Sequence, residues 1–153
     1  LLGARAAVFC PDPEDDCRRA IDCVRTGLKA VIASFPSNLS RVLLLSRIGA
    51  QSMKGGINMR SFFGLGYGST LTGLEDELTS SARRRGRAQP LNTVIVRVGA
   101  LCELDVAAKV RCLPGDEDST GSTSNETAAE ALLQALALSV DTNVCVVDEP
   151  SPA

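Results

Sequence analysis

Histidine and tryptophan are absent from these 153 residues, and tyrosine occurs once. Without histidine there is no Ser-His-Asp triad, no Cys-His pair and no His-ligated metal. Aromatics make up only 3% of the chain, so its core must be built from Leu, Val, Ile and Ala. No apolar run reaches the roughly 18 residues that a helix needs to cross a bilayer. A surplus of either charge is also missing: 16 basic residues against 18 acidic ones give a net charge of −2. That balance offers little long-range attraction to a polyphosphate backbone and disfavours nucleic-acid binding. What is present, 44% hydrophobic and 22% charged residues, suits one domain with a real core.

The six cysteines, Cys10, Cys17, Cys23, Cys102, Cys112 and Cys145, form no C-x-x-C pair, so a zinc knuckle or a thioredoxin-like site lacks its basic unit. They read as free, mostly buried thiols acting as small hydrophobes in a reducing compartment, with a disulfide framework as the alternative. The chain begins Leu1-Leu2-Gly3 without Met. This is expected either of a removed leader or of a piece of a longer polypeptide.

Hydrophobic periodicity orders the elements. Ala4 to Cys10 predicts a short strand. Asp12-Pro13-Glu14-Asp15-Asp16 reads as a helix start, with acids at the positive end of the dipole. Cys17, Ala20, Ile21, Val24, Leu28, Val31 and Ile32 form the apolar stripe of that helix. Arg41 to Ile48 predicts a strand covered on both faces, because Val42 to Leu45 is continuously apolar. Gln51 to Thr70 reads as a long Gly-rich loop. Thr72-Gly73-Leu74-Glu75 reads as a capping box opening a second helix, with Arg83, Arg84 and Arg85 at its negative end.

Leu91 to Val98 predicts another strand, and Val106 to Leu113 a short strand or a helical turn. Pro114 to Glu126 reads as a surface loop. Thr123 to Glu126 reads as a second capping box before a helix over Ala128 to Val140, and Asn143 to Asp148 as the last strand, parallel or antiparallel. Strands alternating with helices imply an α/β class: a mainly parallel sheet with crossover helices over residues 1–148, and a tail over 149–153.

Three segments add a resemblance. Arg41 to Gln51 (RVLLLSRIGAQ), Leu74 to Ser81 (LEDELTSS) and Thr93 to Leu101 (TVIVRVGAL) resemble, in order and spacing, the C-terminal half of NAD(P)-binding, atypical short-chain dehydrogenase/reductase proteins of the NmrA-like, plastid type. The resemblance implies a partial Rossmann-like fold lacking the N-terminal glycine-rich half. It implies cofactor contacts at Cys10, Pro11, Ser46, Arg47, Val98, Gly99 and Ala100 when that half is present, with NADP(H) as the cofactor.

The departures are as informative. Gly64, Gly66 and Gly68 have the wrong spacing for the family's phosphate-binding turn, and no strand leads directly into them. The family's Tyr-x-x-x-Lys pair passes a proton to the substrate carbonyl. Here Leu71 stands where the Lys would follow Tyr67, and Val98 replaces the Pro of the Arg-Pro-Gly turn. Ser46 and Tyr67 are then vestiges of a catalytic set.

The expected function is a non-catalytic, reductase-like accessory or assembly subunit of a larger complex, in the chloroplast by resemblance. One alternative is an NADP(H)-dependent oxidoreductase seen as a fragment, and another an RNA-associated module. Protein partners are expected at Val8, on an unpaired strand edge, and at Arg83, Arg84, Arg85 and Arg87. The acids at Asp12 to Asp16 read as helix-start charges, not as a metal site.

Overall fold

The computed structural model describes residues 5–11, 18–34, 39–49, 67–85, 90–103, 110–114, 121–138 and 141–148; for 18–22, 34 and 67–70 this means the backbone alone. Among the described residues, seven strands and three helices follow one another as β1 (Ala6–Phe9), α1 (Arg18–Ser34), β2 (Arg41–Arg47), α2 (Tyr67–Arg85), β3 (Asn92–Val98), β4 (Ala100–Cys102), β5 (Val110–Pro114), β6 (Ser122–Ser124), α3 (Asn125–Ala135) and β7 (Thr142–Asp148). Five strands make one sheet in the order β1-β2-β3-β7-β5, while β4 and β6 pair separately. The pairs β1–β2, β2–β3 and β3–β7 are parallel. The antiparallel strand is β5, against β7. The α/β, mainly parallel, Rossmann-like class expected from the sequence is the class observed.

The sheet is buried on both faces at its centre, which is why β2 and β3 read as continuous apolar runs. Val42 and Leu44 turn to one face and pack with Ile95, Leu28 of α1, and Leu71, Leu74 and Leu78 of α2. Leu43 and Leu45 turn to the other and pack with Val94, Val96, Val98 and Val146 under Ala128 and Ala135 of α3. Truncating any one of these buried leucines to Ala should cost about 2–5 kcal/mol. Val24, Val31 and Ile32 of the predicted α1 stripe pack against the first cluster. Cys17 and the Asp12 to Asp16 start lie outside the described residues.

Several boundaries differ from the sequence reading. Helix α2 begins at Tyr67, so the Gly-rich segment is helical from there, and Thr72 to Glu75 lie inside the helix instead of capping it. Glu75 is 1% exposed and serves the core. The cap of α3 is Ser124, not Thr123: its hydroxyl accepts from the Thr127 N–H at 3.1 Å and donates to Thr127 Oγ1 at 2.8 Å. Thr123 is instead buried, donating to the Val146 carbonyl and accepting from the Gly99 N–H. Residues 122–124, read as loop, form β6 because they pair with β4.

The cysteine expectation also needs correcting. The five described cysteines are free, yet only Cys145 is buried; Cys10, Cys23 and Cys112 are exposed. Those three sit on a strand end, an outward helix face and a sheet edge, where the apolar runs around them end.

Candidate functional site at the strand ends

In an open parallel sheet, ligands bind beyond the carboxyl ends of the strands, at the point where strand order reverses. Here the parallel strands β1, β2, β3 and β7 lie in sequence order, and the step back among the described residues is to the antiparallel β5. The carboxyl ends of β1, β2 and β3 are therefore the candidate site, with β1 at the edge of the described sheet.

The sequence-predicted residues gather on that wall. Cys10 and Pro11 leave β1, Ser46 and Arg47 end β2, and Val98, Gly99 and Ala100 leave β3. In the β2–β3 register Ser46 faces Arg97, and Arg47 faces Val98. The Ile48 N–H donates to the Val98 carbonyl at 2.9 Å, holding the two strand ends together past the last ladder pair. Cys10, Arg47 and Ala100 are exposed, whereas Pro11, Ser46, Val98 and Gly99 are buried beneath them.

Each of these positions has a local physical character. Ser46 is fully buried, and its Oγ has no hydrogen-bond partner among the described residues. An unsatisfied buried hydroxyl costs about 1–3 kcal/mol. Gly99 is required by packing: a Cβ there would meet the Gly121 carbonyl oxygen at 2.1 Å. That close approach joins β3 to the β4–β6 pair, where the Ala100 N–H donates to the same carbonyl at 3.2 Å. Partial burial pushes the Cys10 thiol up from its ordinary pKa, which keeps it protonated and weakly nucleophilic at neutral pH although the residue as a whole is exposed. Tyr67 opens α2, the next described element after β2, which carries Ser46.

One constellation escaped the sequence reading. Arg97, in the middle of an apolar strand, donates from Nε to Glu75 Oε1 at 3.0 Å and from Nη2 to Oε2 at 2.8 Å. Both side chains are 1% exposed. Its signal was available: a charged residue inside T-V-I-V-R-V, and an acid one turn along from Leu71 on the apolar stripe of α2. The pair bolts α2 to β3 directly beneath the strand ends.

The basic run is less available than expected. Arg84 donates to Glu77 at 2.9 Å and to Ser81 at 2.7 Å, and Arg85 donates to the Leu39 carbonyl at 2.9 Å. Arg83 is exposed, and Arg87 lies outside the described residues. Among the described residues no group of His, Cys, Asp and Glu could hold a metal ion. Nor is any described helix long and apolar enough to cross a membrane.

No protein-family model matches the sequence, and no curated protein does. Solved structures do match. A protein from Bacillus halodurans assigned to the NAD-dependent epimerase/dehydratases has 19% identity and a TM-score of 0.63, over 97% of this chain and 66% of its own. A short-chain dehydrogenase/reductase from Veillonella parvula, in complex with NADP, has 17% identity and a TM-score of 0.59, over 97% and 64%. An anaerobillin reductase from Escherichia coli O157:H7 has 18% identity and a TM-score of 0.57, over 88% and 60%. The chain thus spans slightly less than two thirds of the length of these relatives. Its fold is the α/β, Rossmann-like fold of these structures.

Proposed function

We propose that this chain forms the substrate-side part of an NADP(H)-dependent oxidoreductase of atypical short-chain dehydrogenase/reductase type. The observation that carries the reading is the sequence-order run of parallel strands, which lines up Cys10, Arg47 and Ala100 as exposed strand ends beside the β1 edge of the described sheet. Relatives of the same fold are reductases, and one is in complex with NADP. That supports an oxidoreductase more than a non-catalytic scaffold.

The residues present fit one side of a dinucleotide. Arg47 would offer its guanidinium to a phosphate or ribose, and Ala100 a small surface that a flat ring can approach. Val98 and Ser46 would support that surface from below. The cofactor, when bound, supplies the hydride. Leu71 stands where the family's Lys would follow Tyr67, so in this reading the proton comes from another group or from water.

The test uses the protein expressed from its complete reading frame. NADPH fluorescence should rise saturably on binding, and Arg47→Glu should weaken that binding roughly tenfold or more by replacing a charge-assisted contact with repulsion. Absence of NADPH binding in the complete protein would overturn the proposal.

A second reading, the accessory subunit of a plastid complex with protein partners at Val8 and Arg83, draws on one observation: the Tyr67–Leu71 spacing lacks the catalytic Lys. NADPH binding without turnover of any carbonyl substrate, together with co-purifying subunits, would favour it.

A further inference from the structure

A groove of about 520 Å³ runs between α3 and the β5–β7 edge of the sheet, on the face opposite α1 and α2. Its floor is Ala131, Ala135, Val144 and Val146, and Val110 and Leu138 flank its mouth. These last two are 44% and 37% exposed, large apolar side chains left in water. One wall is acidic: Glu126 and Glu130, one helical turn apart on α3, both line the groove and are exposed. Neither carboxylate takes part in an ion pair among the described residues; Glu130 accepts only from Gln134 Nε2, at 2.9 Å. Asp148 pairs across from Val110, so strand alternation places it on the same face at the groove's end. Its Oδ2 accepts from the Ser124 N–H, while its buried Oδ1 has no partner. Arg111, the basic residue of β5, alternates to the opposite face.

We infer that this groove is a binding site for a small amphiphilic organic cation, an amine on an apolar body. The size lies within the roughly 300–1,000 Å³ of small-molecule pockets. The apolar floor would take the body, and the carboxylates of Glu126 and Glu130, in no ion pair among the described residues, would take the ammonium at the solvent-facing wall. An anion of the same shape would meet like charge there, and a neutral one would gain the floor alone. The groove's lining shares no residue with the strand-end set, so its test does not depend on NADPH binding.

The experiment measures binding of naphthylmethylammonium, its neutral alcohol and the matching naphthylacetate to the protein from its complete reading frame, by calorimetry and by shifts of α3 amide resonances. The cation should bind at least roughly fivefold more tightly than the alcohol, two partly screened ion pairs together supplying that much, and the acetate should be weakest. The double variant E126Q/E130Q, which keeps the shape, should equalise cation and alcohol. Ala131→Phe should block all three, and saturating NADPH should displace none. No saturable binding, equal affinity for cation and acetate, or a cation preference that survives E126Q/E130Q would overturn the assignment. So would a groove sealed by a second copy, seen as a stable dimer mass whose α3 resonances ignore every probe.

Discussion

Ser46 lies directly across from Arg97 in the β2–β3 pairing, so a buried hydroxyl with no partner among the described residues sits beside a buried guanidinium that grips Glu75 with two hydrogen bonds. The two neighbours illustrate opposite treatments of buried polarity. Arg97 is compensated by geometry: a planar fork meets a carboxylate edge to edge, which a lysine could not reproduce. Ser46 is uncompensated, and such a group persists in a core only against its own cost.

Removing one member of the ion pair strands the other's charge in the core. Arg97→Met or Glu75→Leu alone is expected to destabilise the fold by about 3–5 kcal/mol, while the double variant should recover most of that loss. Chemical denaturation of all four proteins in a double-mutant cycle checks this. Additive losses would show that the two groups do not depend on each other.

Ser46→Ala deletes a hydroxyl that has no hydrogen bond among the described residues to lose. Stability should stay level or rise by about 1 kcal/mol. A fall of that size in the denaturation midpoint would mean that the hydroxyl is bonded in solution.

Two glycines should respond with opposite signs. Gly99→Ala drives a Cβ into the Gly121 carbonyl at 2.1 Å, backbone against backbone, and is expected to cost about 1–3 kcal/mol or more. Gly27→Ala, inside α1, places its Cβ at 4.0 Å from Phe9 Cε1, an ordinary contact, and should gain up to about 1 kcal/mol of helix propensity. Thermal melts of the two variants separate the cases directly.

Glu77 joins α2 to α1 through Lys29 at 3.3 Å and accepts from Arg84 at 2.9 Å. Its pKa is lowered, first by the hydrogen bond from Arg84, with burial opposing and Lys29 adding to the lowering. A depressed carboxylate contributes stability that is present above its unfolded pKa and is lost as pH falls through its folded pKa. The protein should therefore exceed Glu77→Gln in stability at neutral pH, with the gap closing as pH falls below about 4. Added salt should narrow the gap as well, because the partners Lys29 and Arg84 are well exposed. A gap that persists at acid pH would point to packing instead of charge.

Much of the fold was legible because the strongest signals are local. The apolar runs of β2 and β3 and the stripe of α1 follow from periodicity, and the class follows from their alternation. What misled was polar chemistry with two uses. A T-x-x-E string caps a helix in one setting, but in α2 the same Glu75 faces the core because a distant strand supplies Arg97. Thr123 reads as a cap, yet its hydroxyl is taken by Val146 and Gly99, leaving Ser124 to do the capping. Both outcomes depend on contacts more than twenty residues apart, which no local window contains. The cluster at the strand ends was legible only through resemblance, and the groove beside α3 not at all, since it arises where a helix and an antiparallel edge strand fail to close.

The open edge of β1 yields the last prediction. Among the described residues β1 pairs with β2 alone, and Val8, on the face away from α1, is 43% exposed. In a parallel strand the amides alternate, so half of those in Ala6–Phe9 bond β2 and the other half point outward without a ladder partner. An apolar strand in that state is a template for another chain. The solved structures of this fold are longer than this chain. Hydrogen exchange should accordingly split by side. In the 153-residue chain alone, the outward amides of β1 should exchange far faster than those of β2, and in the protein from its complete reading frame both sets should be slow. Val8→Lys should reduce self-association of the isolated chain while leaving β2 and β3 protection unchanged, because Val8 contributes little to either core cluster. Slow exchange of every β1 amide in the isolated chain would show an edge that needs no cover, and would remove the physical case for a partner strand there.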